Sequence, residues 1–309
     1  MPSSPSYSPP RPIRPPSPSL SLSRPRRSSF TGPPPSPPQL VVFGDSFSSV
    51  FTLAKQKVQV HRFKGASARG LDSPSSSLQV GPEIIRRLEA TRPSSSLLMF
   101  GAVDLHINYL WQLKSKGAAA LRPQEWVQNV ASAYTGFLAK QALPLVRQTG
   151  TRVYVAAVTP PIVEDCYLES ATEKYLSKEG VGPLPPLSHA SQPHDFATRS
   201  MMVVRFNAQL ESFCKRHPQL QFVSISRHLF SPGYPQRVEP RFKDPEDPTN
   251  IHLVWETTIG LWCREVPALS DAAPTLPHDV ARLECAFQNW RLDKRERLSR
   301  SGFPRPVPA

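Results

Sequence analysis

Two distant segments of this chain carry residues of the kind that cleave esters. Ser46 closes the sequence Gly44-Asp45-Ser46 after a short apolar run, and His252 stands just before a stretch with helical periodicity. A serine hydroxyl becomes a strong nucleophile when a base takes its proton, and imidazole titrates near neutral pH. The two residue types therefore predict a Ser–His pair for nucleophilic catalysis, without the usual Gly-x-Ser-x-Gly elbow.

A carboxylate that fixes the tautomer of the histidine is the third expected part of such a site. Asp247 is the first candidate, and Asp244 is the alternative on the same loop. Asp247 is also a suitable turn residue before Pro248, and Gly44-Asp45-Ser46 taken alone could be a helix cap. The sequence leaves these alternatives open.

Apolar runs that alternate with longer amphipathic stretches predict five strands and five main helices. The strands are expected at residues 40–43, 58–63, 96–100, 152–158 and 221–224, and the helices at about 47–55, 81–90, 123–148, 196–216 and 253–265. Strands separated by helices are typical of a parallel sheet covered on both faces. Right-handed crossovers then give an α/β three-layer sandwich of flavodoxin type with a central five-stranded parallel sheet.

The order of short motifs resembles that of the SGNH (GDSL-type) hydrolase superfamily. Gly44-Asp45-Ser46 is similar to its block I, Gly65 or Gly70 to its block II glycine, Gly101-Ala102-Val103-Asp104 to block III, and His252 to the block V histidine. The Thr159-Pro160-Pro161 break and the helix with Arg205-Phe206-Asn207 also fit. The resemblance covers roughly residues 39–266 and implies a flavodoxin-like esterase or acyltransferase that needs no metal or cofactor.

Two departures from that family affect the chemistry. Val103 replaces an asparagine that donates a hydrogen bond to the oxyanion, a loss of about a hundredfold in rate. Thr249 replaces the aspartate three positions before His252. Backbone N–H groups of Ser46 and of Gly65 or Gly70 are then the expected oxyanion donors.

Three polar residues near these motifs are further candidates for contacts with a substrate. Gly101-Ala-Val-Asp-Leu-His106 also resembles a Gly-Glu-Ile/Val-Asp variant of block III. Asp104 and His106, together with Asp45, are therefore expected to bind a polar substrate. Asp104 could instead cap a helix, and His106 could be structural.

Composition sets the domain organisation and limits the partners. The chain has 309 residues, and 14 of its 37 prolines lie among the first 40, where five arginines and no acid occur. We expect a disordered segment over residues 1–38, a hydrolase-like domain over 39–270, and a basic C-terminal helix and tail over 271–309. The formal net charge of +13 raises nucleic-acid binding, but the charges are dispersed and no nucleic-acid motif frames them.

Four widely spaced cysteines favour neither zinc nor a disulfide scaffold, and no apolar run is long enough to span a membrane. We expect an intracellular, cytoplasmic protein, or an organellar one if the N-terminal segment is a transit peptide. The expected function is that of a serine esterase on a small acyl ester, with carbohydrate O-acetyl groups as one candidate substrate. The alternative is a catalytically inactive binding protein with the same fold.

Overall fold

A five-stranded parallel sheet forms the centre of the protein. The computed structural model describes residues 39–54, 58–176, 184–231 and 234–272. The strands are β1 (Leu40–Gly44), β2 (Gln59–Arg62), β3 (Ser95–Met99), β4 (Arg152–Ala156) and β5 (Leu220–Val223). Their order in the sheet is β2-β1-β3-β4-β5, and every neighbouring pair is parallel. This is the flavodoxin-type order, so the predicted fold class is confirmed.

Helices cover the sheet in two groups. They are α1 (Val80–Thr91), α2 (Tyr109–Lys116), α3 (Pro123–Phe137), α4 (Leu143–Thr149), α5 (Leu168–Leu176), α6 (Phe196–Lys215), α7 (Trp255–Glu265) and α8 (Pro267–Ala272). A 3₁₀ helix at Ser46–Ala54 packs on α7, while α3 packs on α6. Right-handed crossovers from a strand order that reverses beside β1 place these two groups on opposite faces.

The buried faces explain why these segments adopt this structure. All residues of β1 and β3 are buried, as expected for central strands covered on both sides. Their apolar side chains join those of α3, including Trp126 and Tyr134, in one continuous core. Burial on this scale outweighs the local preferences of Ser95 and Ser96, two small polar residues within β3.

Several elements differ from the sequence prediction. The first helix is a nine-residue 3₁₀ helix, and the long helix over 123–148 is interrupted by a π turn at Leu138–Ala142 just before Pro144. The connection over 162–194 contains α5, and a hairpin of β6 (Phe230–Ser231) and β7 (Tyr234–Val238) precedes the His252 loop. The predicted helix at 279–298 and the N-terminal segment 1–38 lie outside the described residues.

Gly44 is the residue at which β1 passes into the serine turn. A Cβ at this position would lie 2.6 Å from Ser48 Cβ and 2.8 Å from the carbonyl oxygen of Met99. Both distances are below normal contact, and the second involves backbone that cannot rotate away. The close approach of β1 to β3 therefore requires glycine here.

We expect Gly44→Ala to lower the free energy of unfolding by about 2 kcal/mol, because the added methyl group overpacks a buried turn. Gly136→Ala is the matched control. Gly136 lies within α3, and its Cβ would meet only the ends of two flexible side chains, those of Asp72 at 3.2 Å and Lys140 at 3.8 Å. Alanine also favours a helix over glycine by about 1 kcal/mol. Urea denaturation of both variants measures the difference. Equal stability of the two variants would contradict the packing argument.

Candidate active site

Ser46 lies at the carboxyl end of β1 and begins the 3₁₀ helix Ser46–Ala54. The turn that presents it is held from both sides. The N–H of Asp45 donates to Met99 O at 3.2 Å, and the N–H of Phe63 donates to Gly44 O at 2.8 Å. Since β1 lies where the strand order reverses, this is the crevice at which open α/β sheets bind ligands.

His252 reaches Ser46 from the loop that precedes α7. Its Nε2 lies 3.0 Å from Ser46 Oγ, a normal hydrogen-bond distance. The main-chain N–H of His252 donates to Asn250 Oδ1 at 3.0 Å, which fixes the backbone before the helix. Two residues that the sequence predicts to act together are therefore neighbours in the structure.

Aromatic rings, rather than a carboxylate, hold the imidazole of His252 in place. Phe47 packs on one side with ring centroids 4.5 Å apart, and Tyr175 approaches edge-on at 6.0 Å. The hydroxyl of Tyr175 donates to Asn250 Oδ1 at 3.2 Å, so the same amide braces both residues. Among the described residues no side chain hydrogen-bonds to Nδ1, so Ser46 is the side chain that contacts the imidazole nitrogens in this part of the chain.

Burial dominates the protonation of His252. Together with the smaller effect of the positive charge of Lys174, it lowers the pKa of the imidazole from 6.5 to about 4. The ring is therefore neutral at pH 7 and can accept a proton from Ser46.

Asp247 does not reach His252, so the predicted orienting role is not supported by the geometry. One carboxylate oxygen pairs with Lys174. The other accepts bonds from the N–H and the hydroxyl of Thr249 at 3.2 and 2.5 Å. This is a local Asx turn, the alternative that the sequence allows. Asp244 likewise serves its own loop, accepting from the N–H of Glu246 at 3.0 Å.

Asp45 builds the serine turn rather than facing the crevice. Its side chain is fully buried; Oδ1 accepts from the N–H of Phe47 at 2.9 Å and Oδ2 lies 3.5 Å from the N–H of Val103. Desolvation raises the pKa of Asp45 to about 7. The carboxyl thus caps the helix that starts at Ser46 and joins the ends of β1 and β3.

Asp104 is also fully buried and connects the loop after β2 to the loop after β3. Its Oδ2 accepts from the N–H of Ala68 at 2.6 Å, and its carbonyl accepts from Trp126 Nε1 at 3.0 Å. The other carboxyl oxygen, Oδ1, has no partner among the described residues. Desolvation raises the pKa of Asp104 to about 7. Asp104 is therefore placed to position a loop rather than to bind substrate directly.

His106 borders a narrow apolar cleft beside the dyad. Its Nε2 donates to Thr159 O at 3.1 Å, and burial lowers the pKa of its imidazole to about 4. The cleft encloses about 20 Å³ and passes Tyr175 and Ile251, the neighbours of His252. Other lining side chains are mostly apolar, among them Ile107, Leu110, Pro161, Leu168 and Ala171. His106 thus lines this cleft, and its role in binding a substrate stays a prediction.

The two candidate oxyanion glycines differ in availability. The N–H of Gly70 is occupied by Ser67, whose Oγ and carbonyl oxygen both accept from it at 3.0 Å. Gly65 lies exposed in the turn after β2 with φ +77°, and its N–H has no partner among the described residues. Gly65 is therefore the candidate that remains.

Sequence reasoning missed Tyr175, Asn250 and Lys174. Tyr175 carried a readable signal, because Leu168, Ala171, Thr172, Tyr175 and Leu176 follow the i, i+3, i+4, i+7, i+8 spacing of an amphipathic helix. Asn250 and Lys174 make contacts between α5 and the His252 loop, which are distant in the chain and which no local pattern predicts.

The part of the chain that the structure describes has no cluster of three or more metal-binding side chains. Within the same residues no helix is long and apolar enough to cross a membrane.

No protein-family model and no curated protein matches the chain. Solved structures that are similar include Est24, a carbohydrate acetylesterase from Sinorhizobium meliloti, with 13% identity, a TM-score of 0.40, and coverage of 76% of this chain and 97% of that one. An extracellular lipase from Streptomyces rimosus has 11% identity and a TM-score of 0.37, with 76% and 99% covered. TesA has 14% identity and a TM-score of 0.37, with 75% and 98% covered.

Identities and TM-scores this low transfer no activity, substrate or catalytic residue to this chain. The architecture is decided by the strand order β2-β1-β3-β4-β5, with the serine turn after β1 at the point where that order reverses. The fold is therefore an α/β sandwich of flavodoxin type. In this fold the carboxyl ends of β1 and β3 form the crevice that holds the dyad.

We expect NMR titration to give a pKa near 4 for His252, because burial and Lys174 both disfavour its protonated form. Lys174→Met should raise that pKa by removing the second cause. The acid limb of the pH–rate profile of any reaction that uses His252 as a base should then shift to higher pH. A pKa of 6.5 or above in the folded wild type would contradict the buried placement of the ring.

Proposed function

We propose that this protein is a serine ester hydrolase that uses Ser46 and His252 as a catalytic dyad. The observation that carries the proposal is the 3.0 Å contact between His252 Nε2 and Ser46 Oγ. Ser46 Oγ attacks the acyl carbonyl as Nε2 takes its proton, and His252 then protonates the departing alcohol. Water, activated by the same imidazole, releases the acyl group from Ser46. Nε2 accepts in the first step, so Nδ1 carries the resting proton.

Backbone amides are the proposed oxyanion donors. The N–H of Ser46 stands at the N-terminus of a nine-residue helix and has no partner among the described residues. The exposed N–H of Gly65 is the second proposed donor. Val103 adds none, because its buried aliphatic side chain has nothing to donate. Such a hole lacks one side-chain donor, which costs about a hundredfold in rate.

The basicity of His252 points to slow turnover. A base works best when its pKa lies near the working pH, and burial lowers the pKa of His252 to about 4. No carboxylate among the described residues stabilises the imidazolium that forms in the transition state. We therefore propose activated acyl esters as good test substrates, since their leaving groups need little help from a protonated base.

A small acyl group is the proposed occupant of the cleft beside the dyad. The cleft is narrow, and Tyr175 and Ile251 connect it to His252. Apolar walls suit a short hydrocarbon chain and offer few hydrogen bonds to a polar one. The proposed substrates are accordingly esters of acetic acid or similar short acids.

We expect Ser46→Ala to abolish labelling by a fluorophosphonate probe and turnover of p-nitrophenyl acetate. The hydroxyl is the only nucleophile in the proposed mechanism, so a loss of at least about 10³-fold should be seen. Active-site labelling followed by gel fluorescence measures the first effect, and release of p-nitrophenolate measures the second.

Ser48→Ala is the matched control, since it removes a serine hydroxyl from the same helix, where Ser48 Oγ bonds Asp45 O at 2.7 Å. It should retain labelling. Labelling that persists in Ser46→Ala would identify another nucleophile. Absence of labelling and turnover in the folded wild type would instead favour a binding protein without catalysis.

Asp247→Asn should reduce kcat/KM for p-nitrophenyl acetate by less than about fivefold, whereas loss of the acid in a serine triad costs about 10⁴-fold. The reason is that the carboxylate of Asp247 contacts Lys174 and Thr249 instead of His252. Steady-state kinetics with a folding check by circular dichroism measures the effect. A loss above about 10³-fold would show that Asp247 orients His252 during the reaction.

A further inference from the structure

The segment between the nucleophile and Asp72 is exclusively basic among its charged residues. Residues 46–71 contain Lys55, Lys57, Arg62, Lys64 and Arg69 and no aspartate or glutamate. A stretch of this length with one sign of charge makes a local positive potential when it is folded into one place.

The structure brings the described part of this segment to the mouth of the dyad. The N–H of Phe63 bonds Gly44 O at 2.8 Å, two residues before Ser46. The N–H of Ala68 bonds Asp104 Oδ2 at 2.6 Å at the end of β3. The loop that carries Lys64 and Arg69 is thus anchored at both ends to the two strand ends that frame the crevice.

Arg62 is held within one helical turn of the nucleophile. Its Nη1 donates to Ser49 Oγ at 2.9 Å. In a 3₁₀ helix side chains three residues apart eclipse, and three residues advance about 6 Å. Ser46 and Ser49 therefore share a face, and the exposed guanidinium of Arg62 stands beside the row that starts with Ser46.

Nearby acids compensate the charges of Arg62, Lys64 and Arg69 only in part. Arg62, Lys64 and Arg69 are exposed, and none forms a salt bridge with a described residue. Arg69 lies 4.6 Å over the ring of Trp126, which keeps its charge in place without neutralising it. Of the nearby carboxyls, Asp72 pairs with Lys140 at 2.7 Å, and the buried Asp104 interacts electrostatically with Arg69 without forming a salt bridge.

We propose that Arg62, Lys64 and Arg69 bind an anionic group on the alcohol part of the ester, so that the preferred substrates are short-chain acyl esters of a carboxylated, sulfated or phosphorylated alcohol. This inference rests on the proposed esterase function. The apolar cleft on the His252 side suits the acyl chain. Arg62, Lys64 and Arg69, which together form the basic rim, lie on the β2 side of Ser46. The alcohol part of the ester would bind on this side, because the acyl chain occupies the other.

The test compares two esters with the same acetyl group, 4-acetoxybenzoate and its neutral methyl ester. Each kcat/KM is divided by the hydroxide-catalysed rate of the same ester, which removes the difference in leaving-group reactivity. We expect wild type to prefer the anion by about fivefold at low ionic strength, and the preference to approach one in about 0.5 M salt. Equal normalised values at low salt would overturn the proposal.

Charge variants locate the effect on the rim. Arg62→Gln and Lys64→Gln should each lower the preference about twofold, and Arg62→Lys should retain most of it. Arg152→Gln is the matched control: it removes one exposed positive charge at the amino end of β4, whereas the crevice lies at the carboxyl ends of the strands. An equal loss in Arg152→Gln would show that net charge, and not the rim, causes the preference.

Binding to Ser46→Ala, measured by calorimetry with the same two esters, makes the test independent of turnover. If the anionic ester binds more tightly but wild type hydrolyses neither ester, anion binding by the basic rim is supported and the proposed esterase function is contradicted. If wild type hydrolyses both esters equally well and Ser46→Ala binds them equally tightly, the esterase function is supported and anion binding by the basic rim is contradicted.

Discussion

The contact between Ser46 and His252 depends on the meeting of two loops that are 206 residues apart in the chain. Neither loop alone creates a site. One is fixed by the close packing of β1 against β3, which requires Gly44, and the other by the start of α7. The crevice exists because the strand order reverses beside β1 and leaves the carboxyl ends of β1 and β3 open to solvent.

Desolvation is the main cause of the pKa shifts of the groups at this site. It lowers the pKa of His252 and His106 and raises that of Asp45 and Asp104, so that each group shifts toward its neutral form. Burial without a carboxylate partner keeps the proposed base neutral but makes it a weak one. A base with this pKa would accept a proton from Ser46 less readily, but it would remain unprotonated at mildly acidic pH.

The sequence was sufficient for the features that depend on strand ends. Ser46 and His252 could be placed because each follows or precedes an element with a clear period. The strands β1, β3 and β4 could be placed because each contains a continuous apolar run, which predicts a buried parallel strand. The preference for Gly65 over Gly70 required the structure, since the N–H of Gly70 is taken by a neighbouring serine. The hairpin β6–β7 was missed because its strands are short and rich in turn residues.

Asp247 shows the limit of reasoning from spacing. An aspartate on the loop before a histidine suggests a triad. In the structure its carboxylate oxygens instead accept hydrogen bonds from Thr249, within the same turn, and pair with Lys174. Short side chains form local hydrogen bonds at less entropic cost than distant ones. The imidazole is held instead by Tyr175 and Asn250, because α5 packs against the His252 loop.

The winding of the first helix has a consequence for how the site can change. A 3₁₀ helix turns about 120° per residue, whereas an α-helix turns about 100°. Rewinding Ser46–Ala54 into an α-helix would rotate Ser49 by about 60° relative to Ser46 and separate the guanidinium of Arg62 from the nucleophile. Substitutions that favour α-helix in this segment would thereby alter charge placement and nucleophile geometry together, even when they touch neither residue.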